Sequence, residues 1–424
     1  MKFHLALLAT INLILTQSAL AHEHSQHAPP STTVESCGEM EVMDFSMGMC
    51  MPLAMKGMPM SMVMFQYNSF LNQTAEEGPR GRSALTAPNM FMLDIGTSVG
   101  DSHYLNLDFM GTLERWTYPD AGYPELLQIG EENQNRQKYI DAQHPHSSPI
   151  MGLTLSDTIH LGNAKDNFKI WLAPRGQATD GPVAFMHRPT GMVNPDAPLG
   201  HHIGQDVGHI TSTVVGSSLR LGNTSVEIST FNGTEPAPTK VDLPLGRLNS
   251  YAARITQIFS PQIYAMASAA FVKDPEPGEP SLDHVSRYSA SIYNTHAASD
   301  GWTVQNAFIY GLVNFYDSTA ALNSFAEEFW FRKDRENFWG RLEVLQRTAG
   351  ELQITSGTPN EPLWVTAMTL GYTYQIVNWS SGELGLGASI TKDFLPPEFQ
   401  SAYGGQPLSG KIFIKLSGMS MREI

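Results

Sequence analysis

From residue 61 to residue 418 the chain alternates apolar residues with polar or small ones, in segments broken by Gly, Asn, Asp and Pro. Successive side chains of a β-strand point to opposite faces, so each segment predicts a strand with one apolar face. A strand that crosses a bilayer needs ~9–11 residues of this kind, apolar outward and polar or small inward. The pattern is plain in 104–113, in 263–272 (IYAMASAAFV), in 301–313 (GWTVQNAFIYGLV) and in 382–391 (GELGLGASIT). Sixteen segments are predicted, starting near 61, 89, 102, 150, 167, 207, 224, 249, 262, 284, 301, 321, 336, 363, 382 and 408.

The connections carry independent information. Alternate ones are brief: Gly100-Asp101, Gly162 to Asp166, Gly222-Asn223, Pro261, Ala298 to Asp300, Asp334-Arg335 and Ser380-Ser381. The others are longer: 73–88, 114–149, 174–206, 233–248, 274–283, 314–320, 349–362 and 394–407. Short turns on one rim and long loops on the other are the habit of bacterial membrane barrels. The predicted fold class is therefore all-β, a transmembrane antiparallel β-barrel of about sixteen strands, with fourteen as the alternative count. Long outer loops, some folded into the lumen, complete it. The competing reading, a large secreted all-β protein, does not predict the alternation of loop lengths. Trp302, Trp330, Trp339, Trp364 and Trp379 lie near strand ends and predict an interfacial girdle.

The ends fit an exported chain. Lys2, the apolar run Leu5 to Leu15 and Ala19-Leu20-Ala21 read as a signal peptide over 1–21. Residues 22–60 then form a His/Met-rich periplasmic tail, 61–418 the outer-membrane barrel and 419–424 a C-terminal tail. Beyond the leader there is no apolar run near the ~18 residues of a membrane helix. Among 424 residues the net charge is −15, which argues against nucleic acid as a partner. The expected partners are outer-membrane lipid, the barrel assembly machinery and a metal ion; oligomeric state is left open.

Candidate chemistry begins in the tail. Residues 40–64 read MEVMDFSMGMCMPLAMKGMPMSMVM, and residues 37–64 hold ten of the chain's 21 methionines. Thioethers with thiolate and imidazole suit Cu(I) far better than hard cations. Met47, Met49, Met51, Met55, Met58 and Met60, with Cys37 and Cys50, are the candidate ligands. Met62 and Met64 belong to the same run, and facing lipid or core explains them equally well. The two cysteines can instead close a disulfide in an oxidising compartment. Upstream, His22, His24 and His27 add donors for Cu(II). A second set lies in the two longest outer loops: His144, His146, His187, His201, His202 and His209, with Asp196, Asp206 and Met186. Folded into the lumen, these loops make a metal-binding or selectivity constriction, or a hydrogen-bonded plug. Glu327 and Glu328 fall on opposite strand faces, so they make a poor acid–base pair; one of them faces the lumen and meets Arg332 or another luminal charge.

Three motifs, QHPH (143–146), AFMHRPTGMVNPDAPLGHH (184–202) with DVGHIT (206–211), and FNGTEP (231–236), resemble a poorly characterised family of proteobacterial outer-membrane β-barrels. The family carries a His/Met-rich mature N-terminus and is seen near copper and heavy-metal resistance systems, so the resemblance implies a role with such metals. This chain departs from the family's DRQHPHD, having Ala142 and Ser147 where an Arg and an Asp are usual. A salt-bridged loop of the usual kind is thereby put in doubt.

The expected function is an outer-membrane barrel that binds or transports copper, as Cu(I) or Cu(II), and is not an enzyme. A general diffusion porin is the first alternative and an outer-membrane lipid hydrolase, with Ser147 or Ser148 beside His144 and His146, the second. Deleting 37–60 is expected to abolish stoichiometric Cu(I) binding by the refolded protein under reducing conditions. If the intact protein binds no Cu(I) in that titration, the copper reading of the methionines fails.

Overall fold

A computed structural model describes residues 41–44, 49–52 and 60–424, except 133–134, 136, 147, 163–164, 207, 209, 238–239, 276–281 and 317–320; for 41–44 and 49–52 it gives the backbone alone. The signal peptide, Cys37, Met47, Met55, Met58 and His209 lie outside the described residues. Sixteen strands close an antiparallel barrel. They are β1 (Ser61–Glu76), β2 (Asn89–Val99), β3 (His103–Gly111), β4 (Ile150–His160), β5 (Asn167–Gly176), β6 (Thr211–Leu221), β7 (Thr224–Asn232) and β8 (Ser250–Ser260). The second half is β9 (Ile263–Lys273), β10 (His284–Ala297), β11 (Thr303–Phe315), β12 (Ala321–Lys333), β13 (Glu336–Arg347), β14 (Leu363–Trp379), β15 (Gly382–Phe394) and β16 (Leu408–Glu423). Each pairs with its neighbour in sequence, and β16 closes on β1 with Ser409 opposite Glu76 and Glu423 opposite Met62. A short strand, Ser83–Thr86, folds back on β1.

The alternation read from sequence decides which way each side chain points. Outward positions carry exposed apolar residues such as Leu107, Leu172, Ile228, Phe308, Leu370, Leu386 and Ile412. Inward positions on the same strands are polar or charged: Glu328 on β12, Arg341 and Glu343 on β13, Asp393 on β15, Lys411 and Lys415 on β16. No helix among the described residues is long and apolar enough to cross a membrane; the barrel presents its apolar band through strands.

Several expectations change in detail. β6 begins at Thr211, later than 207, because the loop before it continues into the lumen. β16 runs to Glu423, so 419–423 is strand and not tail: Met419, Ser420 and Met421 keep their ladder pairs with Gln66, Phe65 and Met64. The connection 316–320 is no longer than the turn 161–166, a departure from the strict alternation. The tryptophan girdle also fails in part. Trp364 is exposed, but Trp330 and Trp339, opposite each other on β12 and β13, point inward and are buried. Their indole N–H groups donate to Asn337 Oδ1 (3.0 Å) and Thr373 Oγ1 (3.1 Å), which lets aromatic bulk sit among polar groups.

The outward face fixes a stability prediction. An arginine at a lipid-facing mid-barrel position costs about 2–4 kcal/mol. Leu386→Arg is expected to lower the unfolding free energy by about that amount in a lipid refolding titration, and a change near zero would mean this wall does not meet hydrocarbon.

Candidate functional site in the barrel lumen

Two segments from the long-loop rim fill the interior. The first, residues 177–210 between β5 and β6, crosses the lumen and contains a short helix, α1 (Pro189–Met192), and a helical turn at His201–Gln205. The second, residues 112–149 between β3 and β4, carries a hairpin of Tyr123–Glu132 and Lys138–Gln143. A loop in the interior must find partners for its backbone groups, and the inward side chains supply them. Ser268 Oγ accepts from Gly181 N (2.9 Å) and Tyr293 Oη from Val183 N (3.1 Å). Asn68 Nδ2 donates to Met192 O (3.1 Å), Arg341 Nη1 to Asp196 O and Ala197 O (3.0 and 2.9 Å), and Arg347 Nη2 to Leu199 O (2.6 Å). Glu343 Oε1 accepts from Leu199 N at 2.7 Å.

One carboxylate organises this set. Glu328 is fully buried and accepts from Arg188 Nε and Nη2 (3.0 and 2.8 Å), Arg341 Nε (3.1 Å) and Thr190 Oγ1 (2.7 Å). The luminal carboxylate expected from the Glu327-Glu328 pair is therefore Glu328, and its partners are Arg188 and Arg341; Arg332 pairs instead with Glu383. Further fixation comes from Arg287 on Asp180 (3.0 Å) and from Lys411 and Tyr123 on Asp196. Asp141 of the hairpin pairs with Arg80 of the 77–88 loop and accepts from Tyr403 Oη at 2.7 Å. Contact is closest at Gly204, where φ is +69° and an added Cβ would lie 2.9 Å from Leu312 N. Gly311 on β11 faces it, and a Cβ there would fall 1.9 Å from Ile203 O. Glycine at both positions lets the loop lie this flat on the wall.

The loop histidines converge in part. The His144 ring lies 5.6 Å from that of His146 and 5.9 Å from that of His202, and the His201 and His202 rings are 4.6 Å apart. His146 Nδ1 is 2.7 Å from Glu114 Oε2. Glu131, His202 and Glu235 each bring a ligand atom to within 4.8 Å of the others. Burial, with Arg287, Arg347, Lys138 and His146 nearby, pushes His202 down to about 3, so its ring is neutral at physiological pH. Burial pushes Asp206 up to about 8 despite Arg188, and its Oδ2 is 3.9 Å from His201 Nδ1. His187 is buried on the same loop. Sequence reading named the four converging histidines but not Glu114, Glu131 or Glu235. For Glu235 a signal existed in FNGTEP (231–236); Glu131 carries none, since only the hairpin's placement brings it there.

The methionines divide. Met60 is half-buried, with its N–H donating to Ser98 Oγ (3.3 Å) at the start of β1. Met49, Cys50 and Met51 lie in a two-strand ladder, with Met43 opposite Cys50 and Val42 opposite Met51. Met62 and Met64 face inward and are buried. A further group was not foreseen: Met90, Met92, Met110, Met151 and Met186 form one buried cluster with Ala184 and Ile210. Met92 and Met110 are direct cross-strand partners, an arrangement visible in sequence only once strand register is known.

Among solved structures, the chain is similar to the anion-selective porin from Comamonas acidovorans, with TM-score 0.52 and 11% identity over 84% of this chain and 99% of that one. It is also similar to OmpF of Salmonella typhi, solved in complex with daunomycin, with TM-score 0.53 and 7% identity over 84% and 97%. At these identities the likeness shows the fold. No protein-family model matches the chain, and no curated protein matches it.

Neutralising Glu328 removes the charge that holds two buried guanidinium groups. Breaking a buried ion pair costs about 3–5 kcal/mol, so Glu328→Gln is expected to destabilise the inserted loop. Single-channel conductance in a planar bilayer should rise above that of the unmodified barrel; unchanged conductance would show that the loop does not limit flow.

Proposed function

We propose that the protein resides in the outer membrane as a porin-class barrel whose lumen, narrowed by two inserted loops, binds and passes copper. The observation that carries this reading is the convergence of His144, His146, His201 and His202 from two separate loops beside Glu131 and Glu235. Imidazole and carboxylate together suit divalent transition metals, and among these Cu(II) binds such donors most strongly. Met90, Met92, Met110 and Met151 on the wall, with Met186 on the loop itself, supply thioethers that suit a soft cation in its reduced form. They also pack the loop against β2, β3 and β4, a role methionine performs without any metal. The resemblance carried by the loop motifs points the same way, since that family is seen near copper resistance systems.

A general diffusion porin is the second reading, favoured by the fold shared with known porins. The two differ in one measurement. In the first, micromolar Cu(II) reduces the conductance of the reconstituted barrel, and His202→Ala or Glu131→Gln weakens that block at least tenfold. Conductance indifferent to copper in all three proteins would leave the diffusion porin standing.

A further inference from the structure

The converging histidines differ in what their ring nitrogens meet, and the difference divides their roles. His144 follows the second hairpin strand, and its Nδ1 accepts the backbone N–H of Glu131 at 3.2 Å. Gly130 makes room for the ring, since a Cβ there would lie 2.8 Å from that Nδ1. A ring nitrogen that accepts from a backbone N–H is the unprotonated one, so a neutral His144 carries its proton on Nε2. With one lone pair engaged and the other nitrogen protonated, this ring is a poor metal ligand. His146 is held by a carboxylate: its Nδ1 and its backbone N–H both meet Glu114 Oε2, at 2.7 and 3.1 Å. His201 sets its Nδ1 3.9 Å from Asp206 Oδ2.

His202 stands apart. Its Nδ1 is 3.9 Å from Glu235 Oε2, and with Glu131 the three residues place one ligand atom each within 4.8 Å of one another. Among the described residues, no other three His, Cys, Asp or Glu do so. Each comes from a different connection: Glu131 from 112–149, His202 from 177–210 and Glu235 from 233–249. Glu235 is anchored in turn, its N–H donating to Pro275 O at 3.0 Å. Glu131 is buried, whereas the side chains of His202 and Glu235 keep 19% and 16% exposure, so the group is open on one side.

We infer that Glu131, His202 and Glu235 form a three-ligand centre for one divalent ion, that His144 is its positioning residue, and that the ion clips three loops together. The inference rests on the copper-binding lumen proposed above and narrows its ligands from four imidazoles to one. One imidazole and two carboxylates suit a borderline divalent ion, with Cu(II) ahead of Zn(II) in affinity, and offer Cu(I) no sulfur. The two carboxylates also balance the charge of a divalent ion. Three protein ligands leave a position for water, the arrangement of an exchanging site and not of a closed structural one. His144 acts through Glu131, and losing a group that holds a ligand in place costs about 10–100-fold in metal affinity.

The test uses the full-length refolded barrel with CuCl2 as the probe, read by electron spin echo spectroscopy, which counts coordinated imidazoles. One Cu(II) with one imidazole nitrogen is expected, and His202→Ala removes that nitrogen. His144→Asn, whose amide oxygen takes over the Glu131 N–H, should keep both the affinity and the one-nitrogen spectrum. His144→Phe should weaken binding about tenfold and leave the spectrum of the remaining complex unchanged. Bound Cu(II) should also protect the bond after the exposed Lys240 from trypsin, a protection lost in Glu235→Gln. Two or more imidazole nitrogens, a nitrogen lost in His144→Asn, or full protection in Glu235→Gln overturns the inference and leaves the copper reading standing. A one-nitrogen centre in a barrel whose conductance ignores copper sinks the transport reading alone. No bound Cu(II) at all removes both.

Discussion

A carboxylate shut away from water is stable only while its cationic partners stay in place, and Glu328 holds that position at the centre of this barrel. One of its partners, Arg341, belongs to the wall; the other, Arg188, belongs to the crossing loop. Removing the loop would leave Glu328 with Arg341 alone, and removing Glu328 would leave Arg188 without its carboxylate in the interior. Buried charge thus joins apolar packing in binding loop to wall. The apolar contacts that accompany it, Val193 against Phe70, Trp330, Trp339 and Phe413, form a floor on which the loop rests.

The strand pattern serves two solvents at once. Each strand gives its apolar face to the hydrocarbon side and its polar face to the interior, so a substitution moves one residue between two very different environments. Gly204 and Gly311 show how finely the interior face is fitted, since neither position has space for a methyl group. The chain spends its outward positions on generic Leu, Ile, Val and Phe, and its inward positions on residues with individual partners.

This asymmetry explains what was legible in sequence. Strand number, order and most starts could be read because they follow from local alternation and from loop length; β6, entered from the luminal loop, is the exception. β12 and β13 began where expected, at Ala321 and Glu336. The direction of Trp330 and Trp339 could not be read: an aromatic near a strand end suits a membrane interface as well as it suits a packed lumen, and only register decides. Extension of β16 to Glu423 was hidden because Met419 to Met421 lacks the bulky apolar alternation of a lipid-facing strand. In the candidate site, histidine is conspicuous in a loop, so His144, His146, His201 and His202 stood out. Their carboxylate neighbours stood out less: Glu131 is ordinary by sequence, and Glu235 was visible only within FNGTEP, where nothing tied it to the histidines.

The seam between β1 and β16 joins the two ends of the barrel, with Ile424 N donating to Ser61 O at 2.9 Å. Both seam strands grip the crossing loop, β1 through Asn68 on Met192 and β16 through Lys411 on Asp196. The join between the two ends of the barrel is therefore clasped from inside: the inserted loop that fills the lumen is also a staple across the seam, and opening that seam would break side-chain contacts as well as the ladder.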